Sequence, residues 1–200
     1  MKSLRVYRGV GTQALLRLLR HHRTGLYSLA LLVGLVAGLG AIAFRLGIDA
    51  WTRLMTGTEE FVGGASTGLL AALGPFFVLA APVLSGALVG PVMALAGRTT
   101  TGHGVSGVIW AARRSDGAMA PVPAVASTLS AALTIGGGGS VGPEGPIAEL
   151  GASAATLFGR RLGLPTRSVR LLAAAGTAAG IAAALDRKST RLNSSHVKLS

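Results

Sequence analysis

Long apolar runs fill the chain between a basic beginning and a polar end. No charged residue lies within 26–44 or within 61–96. A single helix crosses a bilayer with about 20 apolar residues, so this pattern predicts an all-α, polytopic membrane protein. We expect a first membrane helix over Gly25–Arg53. A second, long helix is predicted over Leu69–Ala96; it contains three prolines and is either continuous or broken.

Two shorter apolar segments, Pro121–Ile135 and Ile147–Phe158, lie on either side of the loop GGGGSVGPEGP. Neither is long enough to cross an average bilayer comfortably. This arrangement is typical of discontinuous helices that meet inside a membrane, where helix N-termini offer N–H groups and positive dipole ends to an anion. Glu144 is the carboxylate of this loop, and an ionisable group at membrane depth is a candidate functional residue.

Two further elements complete the predicted helices. A polar, glycine-rich loop over Gly97–Gly107 opens a segment that ends at Arg113 and Arg114 and is too short to span a membrane. A last helix, rich in Ala and Gly, is predicted from Pro165 to about Ala184.

Small residues recur at the spacing that lets membrane helices approach closely. We expect them to pack helices within one subunit rather than to form a dimer. The GxxxG pairs are Gly34 with Gly38, Gly86 with Gly90, and Gly176 with Gly180.

The formal net charge of +12 raises the possibility of a nucleic-acid partner. The placement of the charge argues against one, because six Lys and Arg residues precede the first apolar run, as expected of a cytoplasmic N-terminus. Residues 1–24 are therefore predicted to form a basic cytoplasmic segment. Within it, Gly11–Arg23 forms either a short amphipathic surface helix or a solvated cap.

Several other classes of protein find no support. The chain has no cysteine, and its histidines (His21, His22, His103 and His196) lack partners at metal-ligand spacing. The glycine loop is not followed by Gly-Lys-Ser/Thr, so a nucleotide-binding enzyme is disfavoured. We expect neither a metal, nor a cofactor, nor an enzymatic activity.

The segment GPEGP at 142–146, followed by IAELG, closely resembles the GREGP signature of the CLC family of voltage-gated chloride channels and chloride/proton antiporters. GTAAGIAAA at 176–184 resembles the family's GxAAGxAAAF segment, and GHGVS at 102–106 resembles its GSGIP loop. The resemblance covers residues 25–184. It implies the N-terminal half of the CLC transmembrane domain, with discontinuous half-helices that meet at an anion site.

The resemblance also implies roles for individual residues. Glu144 corresponds to the gating glutamate, whose carboxylate occupies an anion site and leaves it when protonated or displaced. Chloride or a similar anion is the implied cargo, and a homodimer in a lipid bilayer, in a bacterial inner or plasma membrane, is the implied setting. The anion-binding residues implied are Gly102, His103, Gly104, Val105, Gly142, Gly145, Pro146 and Ile147.

The chain departs from the family pattern at positions that bear on ion selectivity. Pro143 stands where the motif has Arg, and Ser106 with Gly107 replaces a Pro-Glu pair. His103 replaces a serine, and it either donates an N–H to the anion or faces solvent. Glu149 stands where relatives have a polar amide, and we expect a carboxylate hydrogen-bonded to a neighbour rather than a transport role.

Residues 185–200, LDRKSTRLNSSHVKLS, are polar and basic where the family continues with Phe-Asn-Ala-Pro and its second half. They resemble translated adaptor sequence, and a genuine basic tail is the alternative. We therefore expect the chain to be a fragment of a CLC transmembrane domain. Its parent is then a channel or an antiporter, two activities that these residues do not separate. The alternative function is that of a non-transporting membrane fragment with a structural or partner-binding role.

Overall fold

The structure is a computed structural model that describes residues 23–58, 61, 68–97, 104–114 and 119–197. Side chains are described for residues 25–58, 61, 68–97, 104–113 and 119–185. The predicted surface helix at Gly11–Arg23 lies outside the described residues, apart from the backbone of its last residue.

The described residues form six α-helices and one 3-10 helix. In chain order these are α1 Arg23–Thr56, the 3-10 helix Ala71–Phe76, α2 Phe77–Leu95, α3 Gly104–Arg114, α4 Pro121–Gly136, α5 Glu144–Arg161 and α6 Thr166–Val197. No strand occurs among these residues, so the predicted all-α class is confirmed.

The long helix α1 is apolar on two faces. One face is buried and repeats about every four residues, as helix geometry requires; it includes Leu29, Val33, Ala37, Ala41 and Phe44. The other face is just as apolar but exposed; it includes Leu31, Leu35, Leu39, Ile42 and Leu46. A helix that is hydrophobic all round is typical of a membrane span, because lipid can cover the outer face.

In the part of the chain that the structure describes, three helical segments have the length and composition to cross a membrane: Gly25–Thr56, Ala71–Leu95 and Thr166–Leu185. Pro121–Gly136 is a shorter apolar helix. The prediction of a polytopic membrane protein is therefore confirmed.

The second membrane segment is broken rather than continuous. Gly74 has φ 53° and ψ −132°, a conformation that side chains with a Cβ avoid. The break lies inside the 3-10 segment Ala71–Phe76, just before Pro75, and α2 then continues through Pro82 and Pro91.

Several helix boundaries differ from the sequence-based prediction, and two of the differences concern predicted loops or tails. The loop predicted over Gly97–Gly107 is already helical from Gly104, where α3 begins. The helix predicted to end near Ala184 continues to Val197, since no Gly or Pro follows to end it. The origin of residues 185–200 stays a prediction.

Helix α5 is the centre of the packing. It contacts α1, α3, α4 and α6, and its contact with α6 is the most extensive in the described residues. Its buried face consists mainly of small residues, and Ala148, Ala152 and Ala155 are fully inaccessible. Small side chains let several helices approach α5 at once.

One of the predicted GxxxG pairs packs helices in the expected way. A methyl group added to Gly176 would overlap the carbonyl oxygen of Gly151, and one added to Gly180 would lie 2.7 Å from the carbonyl oxygen of Ile147. The pair Gly86 and Gly90 has no such neighbour within 4 Å.

Candidate functional site

The first turn of α5 is built from residues that leave N–H groups free of helix bonding. Glu144 is its first helical residue, and Pro143 precedes it as the N-cap. Pro146 has no N–H to donate, and the N–H of Ile147 donates to the Pro143 carbonyl at 3.3 Å. The N–H groups of Glu144 and Gly145 precede this bond, so they are the donors that the start of α5 can offer to an anion.

The carboxylate of Glu144 lies beside this helix start and is half-buried. It folds back toward Gly142, where an added methyl group would lie 2.5 Å from its Oε2 atom. The Glu144 carboxylate therefore occupies space that a side chain at position 142 would fill, and glycine leaves that space open. A negative charge in the first turn is favourable, because the helix dipole is positive there.

The starts of α3 and α5 meet at two glycines. A methyl group on Gly104 would lie 3.6 Å from the Cα of Gly145, and the reverse distance is also 3.6 Å. Gly104 has φ 72°, a conformation that glycine adopts without strain. The structure thus brings together two loops that lie about 40 residues apart in the sequence.

A second carboxylate joins the same two helices. Glu149 is only 4% exposed, and its Oε2 atom accepts a hydrogen bond from the N–H of Gly104 at 2.9 Å. Five residues along an α-helix turn the side chain by about 140°, so Glu144 and Glu149 point in different directions. The prediction that Glu149 is hydrogen-bonded to a neighbour is confirmed.

Helix α4 supports the site from another side. The buried hydroxyl of Thr128 donates to the Ala124 carbonyl at 2.7 Å and also reaches the Pro146 carbonyl at 3.3 Å. Sequence reasoning missed this residue. A threonine in an apolar helix most often bonds its own backbone four residues earlier, so nothing in the sequence singled it out.

The predicted site residues divide into two groups. Gly104, Gly142, Glu144 and Gly145 lie close together, as the distances above show, and Pro146 and Ile147 follow in the same first turn; Val105 is 40% exposed at the start of α3. Gly102 and His103 lie outside the described residues. No group of three His, Cys, Asp or Glu residues suited to a metal occurs in the part of the chain that the structure describes.

A family model described as "Voltage gated chloride channel" matches residues 85–186, just over half of the chain. The chain belongs to the voltage-gated chloride channel family. The matched range includes the starts of α3 and α5, which form this site, and the glycines of α6 that pack on α5. The sequence-based assignment to the CLC family is confirmed, and this family points to transport rather than catalysis.

One curated relative is a chloride channel protein described as ClcB-like, from Ralstonia nicotianae. It is 29% identical to this chain over 164 residues, which make up 78% of the chain and 37% of the relative. The chain therefore spans well under half the length of that relative. No solved structure matches the chain.

Proposed function

We propose that the protein containing this chain transports chloride or a similar anion across a membrane and that Glu144 gates the transport. Family membership supports the cargo class. The observation that supports the gate is the position of the Glu144 carboxylate in the first turn of α5, where the start of α3 meets it.

A carboxylate suits this role because it has the same charge as the transported anion. At a helix N-terminus both are attracted by the positive end of the dipole and by N–H groups that have no helix partner. The carboxylate and the anion therefore compete for one place. Protonation removes the charge of Glu144 and ends this competition.

The proposed anion contacts come from both helix starts. In and just before the first turn of α5 they are Gly142, Gly145, Pro146 and Ile147. In the other segment they are Gly102, His103, Gly104 and Val105; Gly104 and Val105 begin α3, and the N–H of Gly104 is directed to Glu149 in this structure.

The setting of the transport is also part of the proposal. The basic segment 1–24 favours a cytoplasmic N-terminus by the positive-inside rule. We propose a bacterial inner or plasma membrane, and a homodimer of the full-length protein in its lipid bilayer. Both a channel and a chloride/proton antiporter fit this proposal.

The test is chloride efflux from liposomes that contain the full-length gene product. Glu144→Gln mimics the protonated carboxyl, so we expect the pH dependence of efflux to be lost, and Glu144→Ala should behave in the same way. The matched control is Asp49→Asn, which removes the half-buried carboxylate of Asp49 in α1. This variant should keep the wild-type pH dependence.

Two results would count against the proposal. If Glu144→Gln keeps the wild-type dependence on pH and on chloride, Glu144 is not the gate. If the wild-type protein gives no chloride efflux, the transport proposal itself fails, and the structural or partner-binding alternative is favoured.

A further inference from the structure

Glu149 is a buried carboxylate that the proposed gate does not use. It is 4% exposed on the central helix α5. Moving a carboxylate out of water costs several kcal/mol unless hydrogen bonds or opposite charges compensate. A residue of this kind is therefore kept in place by specific partners, and those partners indicate what it does.

The N–H of Gly104 is one such partner, at 2.9 Å from Oε2. It belongs to the first turn of α3, whose N–H groups have no partner within their own helix. The bond joins positions 45 residues apart. A hydrogen bond to a charged acceptor is stronger than a neutral one, so Glu149 is well suited to hold the start of α3.

Helix α3 needs such an anchor. It has 11 residues, and isolated helices of this length are marginal in water. Its apolar side packs through Val108 against Ala152 of α5 and Ala173 of α6. This contact lies one turn beyond Gly104, so it holds the body of α3 and leaves its first residue to Glu149.

We propose that Glu149 is a positioning residue: it fixes the first turn of α3, where the predicted anion contacts Gly104 and Val105 lie, against the start of α5. The effect on transport rests on the proposed function. At present the two helix starts approach so closely that a methyl group added to Gly104 would lie 3.6 Å from the Cα of Gly145. Loss of the acceptor frees the N–H of Gly104 and lets the two helix starts separate. The anion site then loses its fixed geometry.

Two substitutions separate the effect of the hydrogen bond from the effect of side-chain size. Glu149→Met keeps the length of the side chain without a strong acceptor, and Glu149→Gln keeps a carbonyl oxygen that can accept from Gly104. Ser153→Ala is the control, because it deletes another buried polar group of α5, whose hydroxyl donates locally to the Leu150 carbonyl at 2.9 Å.

Two measurements apply to the full-length protein. Amide hydrogen exchange of the peptide that contains Gly104 reports whether the start of α3 is held. The chloride concentration for half-maximal efflux reports the site. We expect Glu149→Met to speed exchange and to raise the half-saturating chloride concentration about tenfold, the fold-change that corresponds to loss of one charge-assisted hydrogen bond, with maximal efflux nearly unchanged. Glu149→Gln should bring both values part of the way back to the wild type, because its neutral carbonyl accepts a weaker hydrogen bond, and Ser153→Ala should change neither.

The inference is wrong if Glu149→Met leaves exchange at Gly104 unchanged, or if Glu149→Gln is as impaired as Glu149→Met. If the wild-type protein gives no chloride efflux, the proposed function is refuted but the inference about Glu149 is not. The exchange measurement then still decides whether Glu149 holds the start of α3. Should Glu149→Met fail to fold, exchange in Glu149→Ala compared with Glu149→Gln decides in the same way.

Discussion

The backbone contact between α5 and α6 makes a sharp prediction about Gly176. A methyl group at this position would overlap the carbonyl oxygen of Gly151 and lie 3.1 Å from the Cβ of Ala155. The contact is reciprocal, since a methyl group on Gly151 would overlap the carbonyl oxygen of Gly176. Backbone atoms cannot rotate away as a side chain can. Gly176→Ala must therefore push the two helices apart.

The size of the effect follows from two opposing contributions. Non-bonded carbon atoms prefer separations of about 3.5–4.0 Å, so the overlap requires a displacement on the order of 1 Å. Overpacking of this kind costs about 1–3 kcal/mol. Alanine is favoured over glycine inside a helix by about 1 kcal/mol. We expect Gly176→Ala to lower the free energy of unfolding by about 0–2 kcal/mol relative to the wild type.

The assay is reversible unfolding of the full-length protein in detergent, followed by circular dichroism. Gly38→Ala is the matched control, because Gly38 lies in α1 and an added methyl group meets nothing within 4 Å. The control should be as stable as the wild type or more stable by up to about 1 kcal/mol. Equal stabilities for Gly176→Ala and Gly38→Ala would refute the close backbone contact.

Two further predictions use the same proteins and assays. Gly142→Ala should displace the Glu144 carboxylate and so alter the chloride and pH dependence of efflux. The free energy of unfolding should shift by less than about 0.5 kcal/mol. Efflux with the wild-type dependence on chloride and pH would contradict this prediction. Ser85→Ala removes the acceptor of the Trp51 Nε1–H, at 2.9 Å and with Ser85 1% exposed, so we expect a loss of about 1–3 kcal/mol. Ser28→Ala, at an exposed serine of α1, is its control, and equal losses in the two variants would contradict the role of the Trp51 bond.

The helices and the place of Glu144 could be predicted from the sequence because their causes are local. Apolar runs of membrane length located the spans, and the glycine loop that contains Glu144 located the region where α5 begins. The prolines of the second span allowed a break, which the structure places at Gly74.

The contacts between distant parts of the site could not be predicted in the same way. The sequence favoured a hydrogen-bonded Glu149, but it did not identify Gly104 as the partner, because the bond depends on how α3 packs on α5. The same limit applies to the glycine pairs. Gly176 and Gly86 occur in the same motif, yet only Gly176 meets a neighbouring helix within 4 Å, and that difference is set by packing rather than by spacing.

The contact between α5 and α6 also bears on the speed of a gate at Glu144. Gly151 and Gly176 meet through backbone atoms, and Gly180 meets the Ile147 carbonyl in the same way, so no rotamer change between these helices can let α5 tilt. Helix movements take microseconds to milliseconds, whereas rotamer changes of exposed side chains take picoseconds to nanoseconds. We expect the backbone of α5 to stay still while the Glu144 side chain alone moves. The opening rate would then depend on how often the carboxylate is protonated or displaced, rather than on a slow rearrangement of the fold.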